Sequence, residues 1–257
     1  MTDIILSNIS KRFGDKTLFE NFSLKIEQGE FISIMGESGA GKTTLLNMMG
    51  LLDRPDSGTI VLCGQKNPEF SSRTAINLRR RHISYLFQNY GLIDTETVES
   101  NMRIATHFKS VSRKKERRLI ADALAQVGLQ GYEGRKVYTL SGGEQQRVAL
   151  AKVIAKSPQI IFADEPTGSL DERNRDYVLE ILQELNYQGK TIVVVTHDPH
   201  VNECAQRHIM LKANHTFNDL KDREAYKRAM DALRLSPEQK ASIARRVAEG
   251  VNRSDKS

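Results

Sequence analysis

The sequence predicts an α/β fold: a largely parallel sheet covered on both faces, with an antiparallel subdomain ahead of it and a helical lobe inserted within it. Three observations carry that expectation. Short apolar runs alternate with helix-period segments over most of the 257 residues, the pattern of strands joined by crossover helices. One apolar run, 31–35, leads straight into a glycine-rich turn and then a helix-period stretch. Another, 159–163, ends in Asp164-Glu165, which puts two carboxylates at the C-terminal end of a buried strand, where open α/β sheets bind their ligands.

Taken in order, the first thirty residues alternate polar and apolar. Ile4, Leu6, Phe22, Leu24 and Ile26 share one face, with turns at 13–16 and 28–30, so a small antiparallel sheet is expected. Residues 31–35 form a compact strand and 42–50 a helix burying Leu45, Leu46, Met48 and Met49. Strands follow at 58–63 and 82–87. From 89 to 140 the period becomes helical, most clearly at Leu119, Ile120, Ala123, Leu124 and Val127, with Gly128 as the stop. Strand 159–163, helix 173–185, strand Thr191–Val195 and a short strand near Arg207–Leu211 complete the pattern.

The character changes near Asn218. Ser236-Pro-Glu-Gln239 is a helix start with proline in its first turn and a capping-box glutamine. The reading is therefore one domain over 1–217, with its helical lobe at 89–140, and a tail of amphipathic helices over 218–257. Leu220, Met230, Leu233, Leu235, Ile243 and Val247 are too few apolar residues for a core of the tail's own, so packing on the main domain or across a dimer is expected.

Composition excludes several classes. Hydrophobic residues make up 39% and charged residues 27%, enough for a real core. No apolar run approaches the roughly 20 residues needed to cross a bilayer, and the first ten residues read as a strand rather than a signal segment, so a cytoplasmic chain is expected. Cys63 and Cys204 have no metal-ligand spacing and read as reduced structural thiols. The net charge of +6 is a modest surplus. Cations cluster from Lys109 to Arg118 and at Arg79–Arg81, and both runs read as exposed helix faces.

The chemistry is concentrated in an ordered set of motifs. Gly36, Glu37, Ser38, Gly39, Ala40, Gly41, Lys42 and Thr43, followed by Thr44, form a loop whose glycines let backbone N–H groups point at phosphate oxygens. The helix behind it adds its positive N-terminal end. Lys42 supplies a point charge for the β- and γ-phosphates, and Thr43 is placed to ligate Mg²⁺. Asp164 would hold the same ion, and Glu165 is the candidate general base for an attacking water. By itself the glycine string is only moderately specific. In sequence with the acidic strand and the strings below, it points to an ATP-hydrolysing enzyme.

With Leu140-Ser-Gly-Gly-Glu144 added, the chain resembles the ATP-binding cassette (ABC) family from Met1 to about Thr216. The resemblance implies a P-loop NTPase with a RecA-like core, an N-terminal antiparallel β-subdomain and an inserted α-helical lobe. It makes Ser141, Gly142 and Gly143 a second anion cradle, acting on nucleotide held by the opposing subunit. Gln88 is similar to the family's glutamine that senses Mg²⁺ and water, Asp171 to the loop linking two sites, and His197 to the switch histidine beside the γ-phosphate. Phe13 stands where the family often stacks a tyrosine on adenine, and phenylalanine keeps the π-face.

The implied cofactors are ATP and Mg²⁺. The implied partners are a second copy of the chain, closing an ATP-sandwich homodimer, and separately encoded transmembrane permease subunits at the inner face of the cell membrane. Nucleic acid is not expected. The competing class, an ABC ATPase acting on ribosomes or DNA, usually has two cassettes in one chain or a long coiled-coil insertion, and neither is visible. Arg79-Arg-Arg-His-Ile-Ser-Tyr-Leu-Phe-Gln88, 163–171 and Thr196-His-Asp-Pro199 resemble the lipoprotein-release and macrolide-export branch. The segment 89–99 is similar to bacteriocin-export ATPases of Gram-positive bacteria, which implies export of a peptide or lipophilic cargo.

Overall fold

The structure is a computed structural model that describes residues 1–168, 170–212 and 217–220. Two sheets organise it. The larger has six strands in the order β10-β9-β3-β8-β7-β6: β3 (Phe31–Gly36), β6 (Ile83–Leu86), β7 (Ile160–Asp164), β8 (Thr191–Val195), β9 (Arg207–Leu211) and β10 (Phe217–Leu220). Pairing is parallel throughout except at β10, which runs antiparallel to β9. The smaller is antiparallel, in the order β2-β1-β4-β5, from β1 (Thr2–Phe13), β2 (Lys16–Glu27), β4 (Ser57–Leu62) and β5 (Gln65–Lys66).

The buried parallel strands serve two cores at once, because successive side chains point to opposite faces. Ile32, Ile34, Ile160, Phe162, Val193 and Val195 pack towards the antiparallel sheet and α1 (Lys42–Met49). Phe31, Ile161, Ala163, Ile192 and Val194 pack into the other core. That second core is closed by α3 (Val98–Thr106), α4 (Arg113–Gln126), α5 (Gly142–Lys156) and α6 (Glu172–Tyr187). Among the described residues two further α-helices are α2 (Arg73–Arg81), before β6, and α7 (Pro199–Glu203), after β8.

Helix starts are written in side-chain caps. Ser72, Thr97, Ser112, Ser141, Asp171 and Asp198 each accept a backbone N–H in the first turn of the helix that follows. Each such cap contributes about 1 kcal/mol.

Several expectations are refined. The hairpin β1–β2 is long and irregular, with register shifts near Ile9 and Lys11 and left-handed backbone at Asn8 and Asn21. The helix read as 173–185 spans Glu172–Tyr187. The strand read as 82–87 is Ile83–Leu86. The boundary expected between 217 and 218 falls inside β10, so the sheet runs on to Leu220. Arg207 secures that last strand, with Nη2 2.7 Å from Asp219 Oδ2 and Nη1 3.0 Å from Glu30 Oε2. The helical tail expected after it lies outside the described residues. Both cysteines are free thiols, and no described helix is long and apolar enough to cross a membrane.

Beneath α7 lies a buried polar cluster. Ser33 Oγ contacts Asn202 Oδ1 and His208 Nδ1, the latter at 2.8 Å, and His208 Nδ1 is 3.0 Å from Asn202 Oδ1. Burial pulls the His208 imidazole down to about 4, since a buried site disfavours its charged form. An unfolded chain protonates that group near pH 6.5, so between those values the unfolded state holds the extra proton. Stability therefore falls as pH drops through this window. In denaturant unfolding, His208→Gln is expected to remove a pH-dependent loss of about 3 kcal/mol between pH 7 and 4 relative to the parent chain. Parallel profiles for the two proteins would refute the assignment.

Candidate functional site

The parallel register delivers the site. Asp164 pairs with Val195, Ala163 with Val194 and Ile34 with Val195, so β3, β7 and β8 end side by side. The loops after them, 36–41, 165–168 and 196–198, consequently meet over the C-terminal edge of the sheet. They surround a cleft of about 640 Å³, lined by Phe13, Ser38, Gly39, Gly41, Lys42, Thr43, Thr44, Gln88, Asp164, Glu165 and His197, all anticipated from the sequence.

Two glycines of the first loop have no substitute. Gly36 approaches β9 so closely that a Cβ would lie 2.3 Å from the Leu211 carbonyl oxygen. Gly41 caps α1 at φ +90°, and a Cβ there would meet the Phe19 ring at 2.9 Å. Lys42 Nζ donates to the carbonyls of Gly36 and Glu37, both at 2.9 Å, so its ammonium is held across the mouth of its own loop. Ala40 N–H donates to the Glu37 carbonyl at 3.2 Å, which closes the turn.

The two carboxylates at the end of β7 are treated differently by the fold. Asp164 Oδ1 accepts from Thr43 Oγ1 at 3.3 Å. Burial first, and then the neighbouring Glu165, raise its pKa above the usual carboxylate range, against that hydrogen bond and Lys42. Glu165 sits at φ +46°, a left-handed conformation uncommon for a non-glycine residue. Its N–H donates to the Val195 carbonyl at 2.9 Å, and its Oε1 lies 2.7 Å from His197 Nδ1. The His197 N–H and Thr196 Oγ1 also face Oε2, each at 3.4 Å. His197 remains 75% exposed while Glu165 is 15% exposed, so the imidazole holds the carboxylate from the solvent side.

Phe13 stands at the cleft's edge, 53% exposed, with Lys11 Nζ 5.0 Å from its ring centroid. The sequence reading missed Lys16, which lines the cleft and donates to the Gly39 carbonyl at 3.2 Å. Its signal was its place in the same tight turn as Phe13.

Ser141, Gly142, Gly143 and Asp171 do not line this cleft. They gather at the N-terminal ends of α5 and α6. Ser141 Oγ accepts from Glu144 N–H at 3.3 Å, and Glu144 Oε2 accepts from Ser141 N–H at 2.8 Å, a complete capping box. That backbone hydrogen bond leads the interactions holding the Glu144 carboxyl below its usual range. Asp171 caps α6 through Asn174 N–H at 2.8 Å and also accepts from Asn174 Nδ2 at 2.8 Å. Asn174 in turn accepts from Arg147 of α5, and a Cβ on Gly143 would come within 2.7 Å of Asn174 Nδ2. Two positive helix ends therefore lie side by side.

A buried link joins the two clusters. Gln146 of α5, 1% exposed, donates through Nε2 to the Pro166 carbonyl at 2.6 Å, one residue after Glu165. The sequence held a signal for it, since Gln146 occupies an otherwise apolar stripe with Ala149, Leu150 and Val153 at helical spacing.

A family model described as ABC transporter matches residues 19–168. The chain belongs to the ABC transporter family. Through that membership it is an ATP-binding, ATP-hydrolysing cassette. It is 38% identical over 240 residues to the macrolide export ATP-binding/permease protein MacB of Campylobacter jejuni, covering 93% of this chain and 37% of the relative. It is 37% identical over 243 residues to MacB of Pectobacterium atrosepticum, with the same two coverages. The cassette thus spans a little over a third of the length of these curated relatives. Among solved structures it is similar to the ATP-binding cassette MJ0796, described as a dimeric post-hydrolysis state bound to ADP and Pi, at TM-score 0.77 and 35% identity. That match covers 85% of this chain and 99% of the other. A further dimeric structure of MJ0796, titled a bacterial ABC transporter cassette, superposes at TM-score 0.77 and 36% identity.

The link through Gln146 gives a test of how the cassette is held together. Gln146→Leu strands the buried Pro166 carbonyl without its donor and is expected to cost about 1–3 kcal/mol. The urea unfolding midpoint measures it, and an unchanged midpoint would mean the bond contributes nothing.

Proposed function

We propose that this cassette hydrolyses ATP between two copies of itself and that the cycle powers a membrane permease, with export as the direction of transport. One observation carries the reading. Lys42, Thr43, Asp164, Glu165 and His197 converge on one cleft, while Ser141, Gly143 and Asp171 cluster separately at two helix N-termini. A phosphate chain laid along the 36–43 loop meets backbone N–H groups, the α1 N-terminus and the Lys42 ammonium. Its exposed side then calls for a second anion cradle, and the α5 start of another copy has the required chemistry. The dimeric descriptions of the similar MJ0796 structures support this arrangement.

Mg²⁺ fits the residues present. Among the described residues no three His, Cys, Asp or Glu side chains form a metal cage. The Thr43 hydroxyl and the raised Asp164 carboxylate instead offer hard oxygens at one edge of the cleft. That set suits an ion that completes its shell with phosphate oxygens and water, as Mg²⁺ does. Thr43 and Asp164 would hold it, with Gln88 at the same rim, and it would neutralise charge developing on the phosphates.

The chain's own groups do the rest. Glu165 orients a water and takes its proton, while His197 fixes the rotamer of that carboxylate and reaches towards the terminal phosphate. Phe13 offers its exposed face to the base. The surface near 90–98, which follows Gln88 on the helical lobe, is the proposed contact for the permease. The names of the relatives support export, and the cargo we propose is a peptide of bacteriocin type or another lipophilic molecule.

Replacing the proposed base tests the mechanism. Glu165→Gln is expected to keep ATP affinity, accumulate an ATP-bound dimer in sedimentation, and lower kcat by a factor of about 10² or more. Turnover at the parent rate would overturn the role of Glu165. A variant that stays monomeric at saturating ATP would overturn the dimer.

A further inference from the structure

Away from the cleft, five cations that the proposed reaction does not use converge on one patch of surface, although they come from five separate segments. Arg80, in the last turn of α2, places its guanidinium carbon 4.3 Å from the centroid of the Phe108 ring. Lys109, the next residue, has Lys190 and Lys115 as its charged neighbours. Lys190 Nζ donates to Ser157 Oγ at 3.4 Å. Lys156, just before Ser157 at the end of α5, donates to the Arg79 carbonyl at 2.7 Å. The contacts thus run from Phe108 and Lys109 through α2 to the end of α5 and on to Lys190, whose charge in turn acts on Lys109.

A run of cations on one helix is ordinarily just a solvated face. This patch differs, because the tertiary fold assembles it. Arg79 is not part of it, since its guanidinium turns inward to the carbonyls of Leu51 and Phe70. Arg80, Lys109, Lys115, Lys156 and Lys190 have no ion-pair partner among the described residues. The nearby Glu116 carboxylate accepts instead from Thr106 Oγ1 at 2.7 Å. Burial and then the neighbouring lysines lower the Lys109 pKa, and burial and then Lys152 pull Lys156 down to about 8. Like charges are held together with no paired carboxylate among the described residues.

We propose that this patch docks on anionic lipid headgroups at a membrane surface, a contact made by the cassette itself in addition to its permease. The proposal rests on the transport reading above, and the chemistry favours lipid over nucleic acid. Four of the five cations are lysines, whose compact point charges suit a layer of phosphates without fixed register. The nearby aromatic ring, Phe108, is already covered by Arg80 and offers no platform for stacking bases.

The full chain sedimented with protein-free vesicles tests this. Binding is expected to an equimolar mixture of phosphatidylglycerol and phosphatidylcholine but not to phosphatidylcholine alone, and it should weaken as salt rises. Lys109→Gln with Lys190→Gln should reduce binding by about fivefold for each charge removed while basal ATP hydrolysis stays at the parent rate. Should that pair fail to fold, Arg80→Gln with Lys115→Gln, both at exposed positions, gives the same reading. The proposal is overturned if the parent chain ignores the mixed vesicles, or if the variants bind them as the parent does. It is also overturned if the variants lose affinity only for a DNA duplex. Because the vesicles contain no permease and hydrolysis is measured separately, failure here leaves the ATPase reading standing.

Discussion

The register of β7 against β8 is the constraint on which the site depends. Asp164 opposite Val195 fixes how far each strand runs before its chain turns away, and the Glu165 N–H bond to the Val195 carbonyl continues the ladder one residue past the strand. A slip of one residue would turn Ile160 and Phe162 from one core into the other. It would also carry the paired carboxylates out of reach of Thr43 and His197. Both faces of these strands are buried under full cores, which makes such a slip prohibitively costly. The geometry of the cleft is thereby inherited from packing.

From that fixed edge the structure builds outward through polar contacts at the ends of helices. The bond from Gln146 to the Pro166 carbonyl joins α5 to the turn after Glu165, and the Arg147, Asn174 and Asp171 contacts join α5 to the start of α6. The two helix ends that form the second cluster are therefore mechanically continuous with the carboxylate end of β7. In the proposed sandwich of two copies, a change at one nucleotide site would have a short physical route to the other through these contacts.

The sequence showed the site more clearly than it showed the fold around it. The glycine loop, the acidic pair and the signature string were legible because each needs particular residue types at a fixed spacing. Elsewhere the local pattern misled. In α3, Val98 and Met102 are buried at helical spacing, but Asn101 is buried with them and bonded to the chain at Ile93 and Thr97, while Ile104 is half exposed, so apolar pattern alone does not give its buried face. Helix α2 carries Arg79–Arg81 and little apolar surface, and showed itself only as a knot of charge. The strand β10 reads Phe-Asn-Asp-Leu, too polar and short to reveal pairing that depends on Arg207, a distant residue. The bulges near Asn8 and Asn21 break the alternation that would have given β1 and β2 their full length.

The left-handed backbone at Glu165 has a consequence for how this protein tolerates change. Such strain at a functional position costs of order 1–3 kcal/mol and persists because the surrounding structure enforces it. Glycine would relax it, and asparagine would do so in part. A library of variants selected for thermal endurance alone would therefore drift towards those residues at position 165, gaining stability while giving up the carboxylate that His197 holds. Under the role proposed for Glu165, robustness and turnover pull in opposite directions at a single backbone torsion.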